Sequence, residues 1–273
     1  MAGLEKVKVL VIGDSGVGKS SLSHLICHGQ PITNPSWTIG ASLDVKVHVF
    51  RDGTPLQKKY FVELWDVGGC NAHANARSVF YHNVNGNTSF AKNTNENLRK
   101  VLILLVFLSM FCLGIILVHD LTNKKSCFNL RNWLSEVLVH VQGDGGCGLT
   151  SPLSLTATSD AMSSWWSRDG FDPETFAGSS QLPMLIFGTK QDLTTETRYR
   201  KRSPMADECG ADEIFLNCLD RTCMPSGSSA AVKLSKFFDK VIERRYHAAG
   251  NLMADRRRNP HHNAQFRTFI VDR

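Results

Sequence analysis

The residues best suited to chemistry are Gly13-Asp14-Ser15-Gly16-Val17-Gly18-Lys19-Ser20, which fit the spacing G-x-x-x-x-G-K-S between a β-branched run and an amphipathic segment. In such a loop the backbone N–H groups of Asp14, Ser15, Gly16, Val17, Gly18, Lys19, Ser20 and Ser21 can converge on phosphate oxygens, because glycine lets the chain turn tightly enough. The start of the helix adds its positive end, Lys19 neutralises the β and γ oxygens, and the Ser20 hydroxyl can ligate magnesium. A chance glycine turn would leave Lys19, Ser20 and both flanks unexplained.

Three further groups extend this chemistry. Trp65-Asp66-Val67-Gly68-Gly69 supplies a carboxylate, Asp66, that can hold magnesium through water, and a Gly69 N–H that can approach a γ-phosphate because no side chain intervenes. Thr38, in Pro35-Ser36-Trp37-Thr38-Ile39-Gly40, is the candidate second hydroxyl ligand, so Ser20, Thr38 and Asp66 form the expected metal set. Thr189-Lys190-Gln191-Asp192 selects the base: the Asp192 carboxylate can accept from both the ring N–H and the exocyclic amine of guanine, and the Lys190 stem can lie along the ring. Adenine offers no such donor pair, so GTP or GDP with Mg2+ is the expected cargo.

These residues need a scaffold that holds loops at strand ends. Lys6 to Ile12 reads as a buried strand, Ser20 to Cys27 as a helix stopped by Gly29 and Pro31, and Asp44 to Phe50 with Lys59 to Leu64 as a hairpin around Asp52-Gly53. Strands follow at Ile115 to Val118, Met184 to Phe187 and Ile214 to Leu216, separated by helices at Leu130 to Val139 and Ala230 to Tyr246. Strands alternating with helices imply an α/β fold, a mainly parallel sheet covered on both faces.

Composition sets the outer limits. With 42% apolar and 21% charged residues over 273 positions, the chain can bury a full core, which excludes collagen, coiled coil and wholesale disorder. The net charge of +6 is too mild to imply nucleic-acid binding. The eight cysteines form no C-x-x-C pair and no secretory leader precedes the first strand, so a reduced, cytoplasmic location is expected.

The chain resembles the Ras-like small GTPases, in the Rab branch. The resemblance rests on the phosphate loop, on Pro-Ser-Trp-Thr-Ile-Gly at 35–40, Glu-Leu-Trp-Asp-Val-Gly-Gly at 63–69, Val-His-Asp-Leu-Thr-Asn-Lys-Lys-Ser at 118–126, Gly-Thr-Lys-Gln-Asp at 188–192, and Ala-Val-Lys-Leu-Ser-Lys-Phe-Phe-Asp-Lys-Val-Ile-Glu at 231–243. It implies a P-loop GTPase fold with a six-stranded sheet, a domain over 1–246, and a GTP-binding switch whose loops respond to the γ-phosphate. The catalytic group carried over is Asp66, Gly69 and Cys70, with Cys70 standing where many relatives place the glutamine that orients water. Hydrolysis is therefore expected to be slow, and a nucleotide-stabilised interaction scaffold is the alternative. Thr189 replaces the commoner asparagine, which is expected to loosen the tie to the phosphate loop, and Cys218-Leu219 lies in the region of the third base-contacting element. The implied partners are a second copy of the chain and chaperones of prenylated small GTPases.

No lipid anchor is expected. No cysteine follows Cys223, and Ala2 stands where N-myristoylation needs glycine, so any peripheral membrane association would come through partners or the basic tail at 247–273. Two insertions interrupt the domain. Residues 143–181, rich in Gly, Ser and Thr, read as a flexible or partner-binding insertion. The block 87–114 leads into the apolar run Val101 to Val118, which reaches the ~18-residue threshold of a membrane span. The resemblance needs Ile115 to Val118 as a central strand, however, and implies that Asn85-Gly86 runs directly into Ile115. The favoured expectation is an unspliced in-frame intron in the gene model, with a real insertion and a membrane span as the alternatives.

Overall fold

The computed structural model describes residues 5–81, 112–141, 182–194 and 202–247. Its elements in chain order are β1 (Lys6–Ile12), α1 (Lys19–His28), β2 (Ala41–Phe50), β3 (Lys58–Val67), α2 (Ala74–Tyr81), β4 (Cys112–Asp120), α3 (Lys124–Val141), β5 (Met184–Thr189), α4 (Pro204–Glu208), β6 (Asp212–Phe215) and α5 (Ser229–Ile242). Short 3-10 turns at Asn71–His73 and Gln191–Leu193 and a π-helical turn at Glu243–His247 complete the set.

The six strands form one sheet in the order β2-β3-β1-β4-β5-β6. Only β2 runs antiparallel to its neighbour, from Ala41 opposite Val67 to Phe50 opposite Lys58. The expected mainly parallel α/β architecture is therefore present. Central strands carry unbroken apolar runs because both faces are covered: Val9, Leu10, Val11 and Ile12 of β1 and Ile115 to Val118 of β4 are at most 1% exposed. On one face Leu22, Leu25 and Ile26 of α1 join Leu234, Phe237, Phe238 and Val241 of α5. On the other, Leu130, Trp133, Leu134 and Val137 of α3 pack with Met205 of α4.

Several element boundaries differ from the sequence reading, each for a physical reason. β3 continues through Trp65 and Asp66 to Val67, because pairing with β1 on one side (Val11 opposite Asp66) and β2 on the other outlasts the apolar alternation. α3 starts at Lys124, because the Asn123 side chain just before it accepts from the Lys125 N–H at 3.1 Å. The last helix becomes a π-helical turn after Ile242, and there Tyr246 donates its hydroxyl to the Lys6 carbonyl at 2.9 Å. α2 and α4 had no counterpart in the reading. α4 did carry a signal, Ser203 capping the Ala206 N–H ahead of Pro204, but its five residues are too few for periodicity.

β4 begins at Cys112, inside the block 87–114, so the apolar run is divided: its last third is central sheet and residues 87–111 lie outside the described part. The insertion at 143–181 and the tail beyond His247 lie outside it too. No helix among the described residues is long and apolar enough to cross a membrane. Gly114 pairs with Val9 beneath α5, where a Cβ would come within 2.5 Å of Val241 Cγ2 and 3.0 Å of Phe237 Cζ.

Deleting 87–114 would place Gly86 immediately before Ile115, so a glycine would again meet that constraint. The shortened chain is expected to melt within about 4 °C of the full chain, the shift given by a change of about 1 kcal/mol. In the shortened chain, Gly86→Leu should then be strongly destabilising. A shortened chain that does not fold would contradict this reading.

Candidate functional site

The site lies at the C-terminal ends of β1, β3, β4 and β5, where loops of a parallel sheet gather. β1 ends in a tight turn. Gly13 has φ 150° and sits against β4, where a Cβ would come within 2.1 Å of the Val118 carbonyl oxygen. Gly16 and Gly18, at φ 75° and 96°, carry the loop over the start of α1 through the left-handed region. Lys19 is buried and folds back, donating to the Gly13 carbonyl at 2.9 Å and the Asp14 carbonyl at 2.7 Å. Burial pulls its pKa down to about 8, against the opposing influence of Asp66 and Asp14. Ser15 and Gly16 are exposed, whereas the Val17 side chain points into the core.

The expected metal set converges. The Ser20 hydroxyl donates to Asp66 Oδ2 at 2.6 Å, Thr38 donates to the same oxygen at 3.0 Å, and Ser20 and Thr38 lie 2.9 Å apart. Ser42, on β2, adds a third hydroxyl at 3.2 Å that the sequence reading missed. Asp66 is fully buried, and its second oxygen, Oδ1, has no hydrogen-bond partner. Two glycines bring the loops together. A Cβ on Gly68 would come within 2.6 Å of the Thr38 carbonyl oxygen, and one on Gly69 within 2.5 Å of Ser15 N.

At the other end, the Thr189 hydroxyl lies within hydrogen-bond distance of the Val17 and His119 carbonyls. This corrects the expectation of a loosened tie: the shorter side chain still reaches the phosphate loop, its single proton shared between two acceptors. Lys190 adopts a left-handed conformation at φ 58°. Its ammonium is held by Asp120 Oδ2 at 2.6 Å, and Asp120 Oδ1 accepts from both the N–H and the hydroxyl of Thr122. Burial opposes ionisation of Asp120, but the bonds from Lys190 and Thr122 outweigh it and hold the carboxyl below its usual range. Asp192 is exposed on the adjoining 3-10 turn. Cys218 is packed in the core, its thiol pushed up to about 12 by burial, with the Asp192 charge adding to the effect. Leu219 is exposed and its N–H is taken by Asn217 Oδ1 at 2.8 Å.

Two further contacts tie the site to its surroundings. The Asp14 carboxylate turns away from the loop, accepting from Asn129 at 2.7 Å and Trp133 Nε1 at 2.8 Å on α3, so only its backbone faces the loop's concavity. The Cys70 carbonyl accepts from Arg77 at 3.1 Å. Asp120, Asn129, Trp133 and Arg77 were missed as site residues; for Asp120 the signal was its place at the end of the β4 run.

Residues 8–104 match the family described as Roc, the Ras of Complex domain of DAPkinase. Rab-like protein 3 of Xenopus tropicalis is 42% identical over 269 residues, covering 94% of this chain and 95% of that protein. The chain belongs to the Rab-related branch of the Ras-like small GTPases. Rab-like protein 3 of Homo sapiens is likewise 42% identical, over 90% of this chain and 88% of its own length, and a small GTPase-like protein of Arabidopsis thaliana is 35% identical over 70% of this chain. As a member of this family, the GTPase binds GTP.

The Lys19 shift carries a pH dependence. In the free protein the ammonium begins to lose its proton near pH 8, whereas adjacent phosphates raise its pKa, so above that point binding must take up a proton. Nucleotide affinity is expected to weaken roughly tenfold between about pH 7.5 and 9, and to be flat below that window. Titration calorimetry across that range checks it, and an affinity independent of pH would contradict the buried-lysine account.

Proposed function

We propose that this GTPase is a slow GTP-hydrolysing switch that acts through partners of two loops, the segment around Thr38 and the segment around Gly69 and Cys70. The observation that carries the reading is the convergence of the Ser20 and Thr38 hydroxyls on the buried Asp66 carboxylate, whose other oxygen is orphaned. That set of hard oxygens fits Mg2+, which would neutralise charge on the phosphate oxygens when bound. Thr38 belongs to one mobile-switch segment and Asp66 to the strand feeding the other, so their engagement depends on the state of the nucleotide.

The chain's own groups have separable roles. Lys19 leaves the Gly13 and Asp14 carbonyls for the β and γ phosphate oxygens, the glycines present backbone N–H groups, and the Gly69 N–H meets the γ-phosphate. Lys190, pinned by Asp120, lies along the base, and Asp192 accepts its paired donors. Cys70 can neither orient a water through an amide nor donate strongly, so intrinsic turnover is on the order of 10⁻⁴ per second or below. Trp37 and Ile39, 84% and 82% exposed beside Thr38, offer apolar surface to a partner. The resemblance suggests a second copy of the chain or a chaperone of prenylated small GTPases in that role.

The scaffold reading, with negligible hydrolysis, is favoured by Cys70 and by the long insertion at 143–181. Single-turnover hydrolysis separates the two. The switch reading expects measurable phosphate release that rises in Cys70→Gln, whereas no release from either protein supports the scaffold. Asp192→Asn should move preference from GTP toward xanthosine triphosphate, and unchanged guanine preference would overturn the base assignment.

A further inference from the structure

Behind the phosphate loop lies a buried charged cluster that the site chemistry does not use. Arg77 on α2 is 4% exposed, and its Nε and Nη2 donate to the two carboxylate oxygens of Glu136 on α3, each at 3.0 Å. Its remaining Nη1 donates to the Cys70 carbonyl at 3.1 Å. The guanidinium lies 4.3 Å from the centroid of the Trp133 ring, and the same indole donates through Nε1 to Asp14 Oδ1 at 2.8 Å. Asn129, one turn away on α3, secures the other oxygen of Asp14. One helix face therefore braces the phosphate loop and the second switch segment at once.

We propose that Arg77 is a positioning residue that, oriented by Glu136 and Trp133, holds the Cys70 carbonyl and thereby keeps Gly69 against the phosphate loop. Net stability alone gives weak reason for such a pair, because a buried ion pair gains little over well-packed apolar side chains. What it supplies is direction. A guanidinium gripped on one edge by both oxygens of a carboxylate has its plane fixed, so its outer N–H points at one place. That place is the carbonyl of the residue following Gly69, whose own backbone is already in contact with the loop: a Cβ there would lie 2.6 Å from the Gly13 carbonyl oxygen. The sequence neighbours of Cys70 give no hint of this, since Arg77 and Glu136 are 59 residues apart.

The inference rests on the switch reading, in which the Gly69 N–H meets the γ-phosphate. Since GDP has no γ-phosphate, loss of the clamp should loosen GTP and spare GDP. A purely structural role would weaken both together, because both nucleotides share the loop, Lys19 and the base corner.

The test uses the full chain and compares dissociation of a non-hydrolysable fluorescent GTP analogue with that of fluorescent GDP. Arg77→Lys, which keeps the charge but cannot make the three-way contact, should speed GTP release roughly tenfold, the scale of one charge-assisted hydrogen bond, and leave GDP release within about twofold. The double variant Arg77→Glu with Glu136→Arg restores an ion pair, and with it the melting temperature. A carboxylate at position 77 cannot donate to the Cys70 carbonyl, however, so GTP retention should stay impaired. GTP and GDP weakening in parallel, or GTP retention returning with the swapped pair, would overturn the clamp while leaving the switch reading intact. A wild-type chain that retains neither nucleotide would overturn that reading, and the clamp with it.

Discussion

A carboxylate with no solvent exposure and one oxygen without a partner is an expensive thing to bury, and Asp66 is such a group. Three hydroxyls, from Ser20, Thr38 and Ser42, are spent on its other oxygen. They come from the first helix, the loop ahead of β2, and β2 itself, so meeting the need of one side chain draws three parts of the chain to the end of β3. The parallel register with β1 is what puts Asp66 there, opposite Val11 at the point where the phosphate loop begins. A divalent cation held by this carboxylate and the Ser20 and Thr38 hydroxyls would offset the charge that protein groups leave half satisfied.

The glycines are the mechanical counterpart of that electrostatic demand. Gly13 against Val118, Gly68 against Thr38 and Gly69 against Ser15 each close a gap too narrow for a β-carbon. Together they press the phosphate loop, the Thr38 segment and the second switch segment into mutual contact. Small movements of one are therefore felt by the others, which is the property a nucleotide switch requires. The Arg77, Glu136 and Trp133 cluster extends this contact to α3.

The parts legible in the sequence were those whose physics is local. The phosphate loop declared itself because glycines, Lys19 and Ser20 act within eight positions and need only a strand before and a helix after. Ile115 to Val118 could be assigned to the sheet rather than to a membrane because, with His119-Asp120, the run resembles the fourth strand of the family, and Asp120 now pins Lys190. What stayed hidden depends on partners distant in sequence. The anchoring of the Asp14 side chain has no local signal, because Asn129 and Trp133 of α3 lie more than a hundred positions away. Thr189 looked like a weakened asparagine because the reach of its hydroxyl depends on the packing of β5 against the loop. α2 was missed because it is short, and because Arg77 within it is a buried cation that periodicity counts as surface.

The central claim is that this arrangement holds a guanine nucleotide with magnesium. The most direct test is to incubate the purified full chain with an equimolar mixture of ATP and GTP in Mg2+, remove unbound nucleotide, denature the protein and identify what is released. Release of GTP or GDP in near-stoichiometric amount is the expected result, and its loss when Mg2+ is chelated would show that the cation is needed to hold the nucleotide. Release of adenine nucleotide, or of none, would contradict the account.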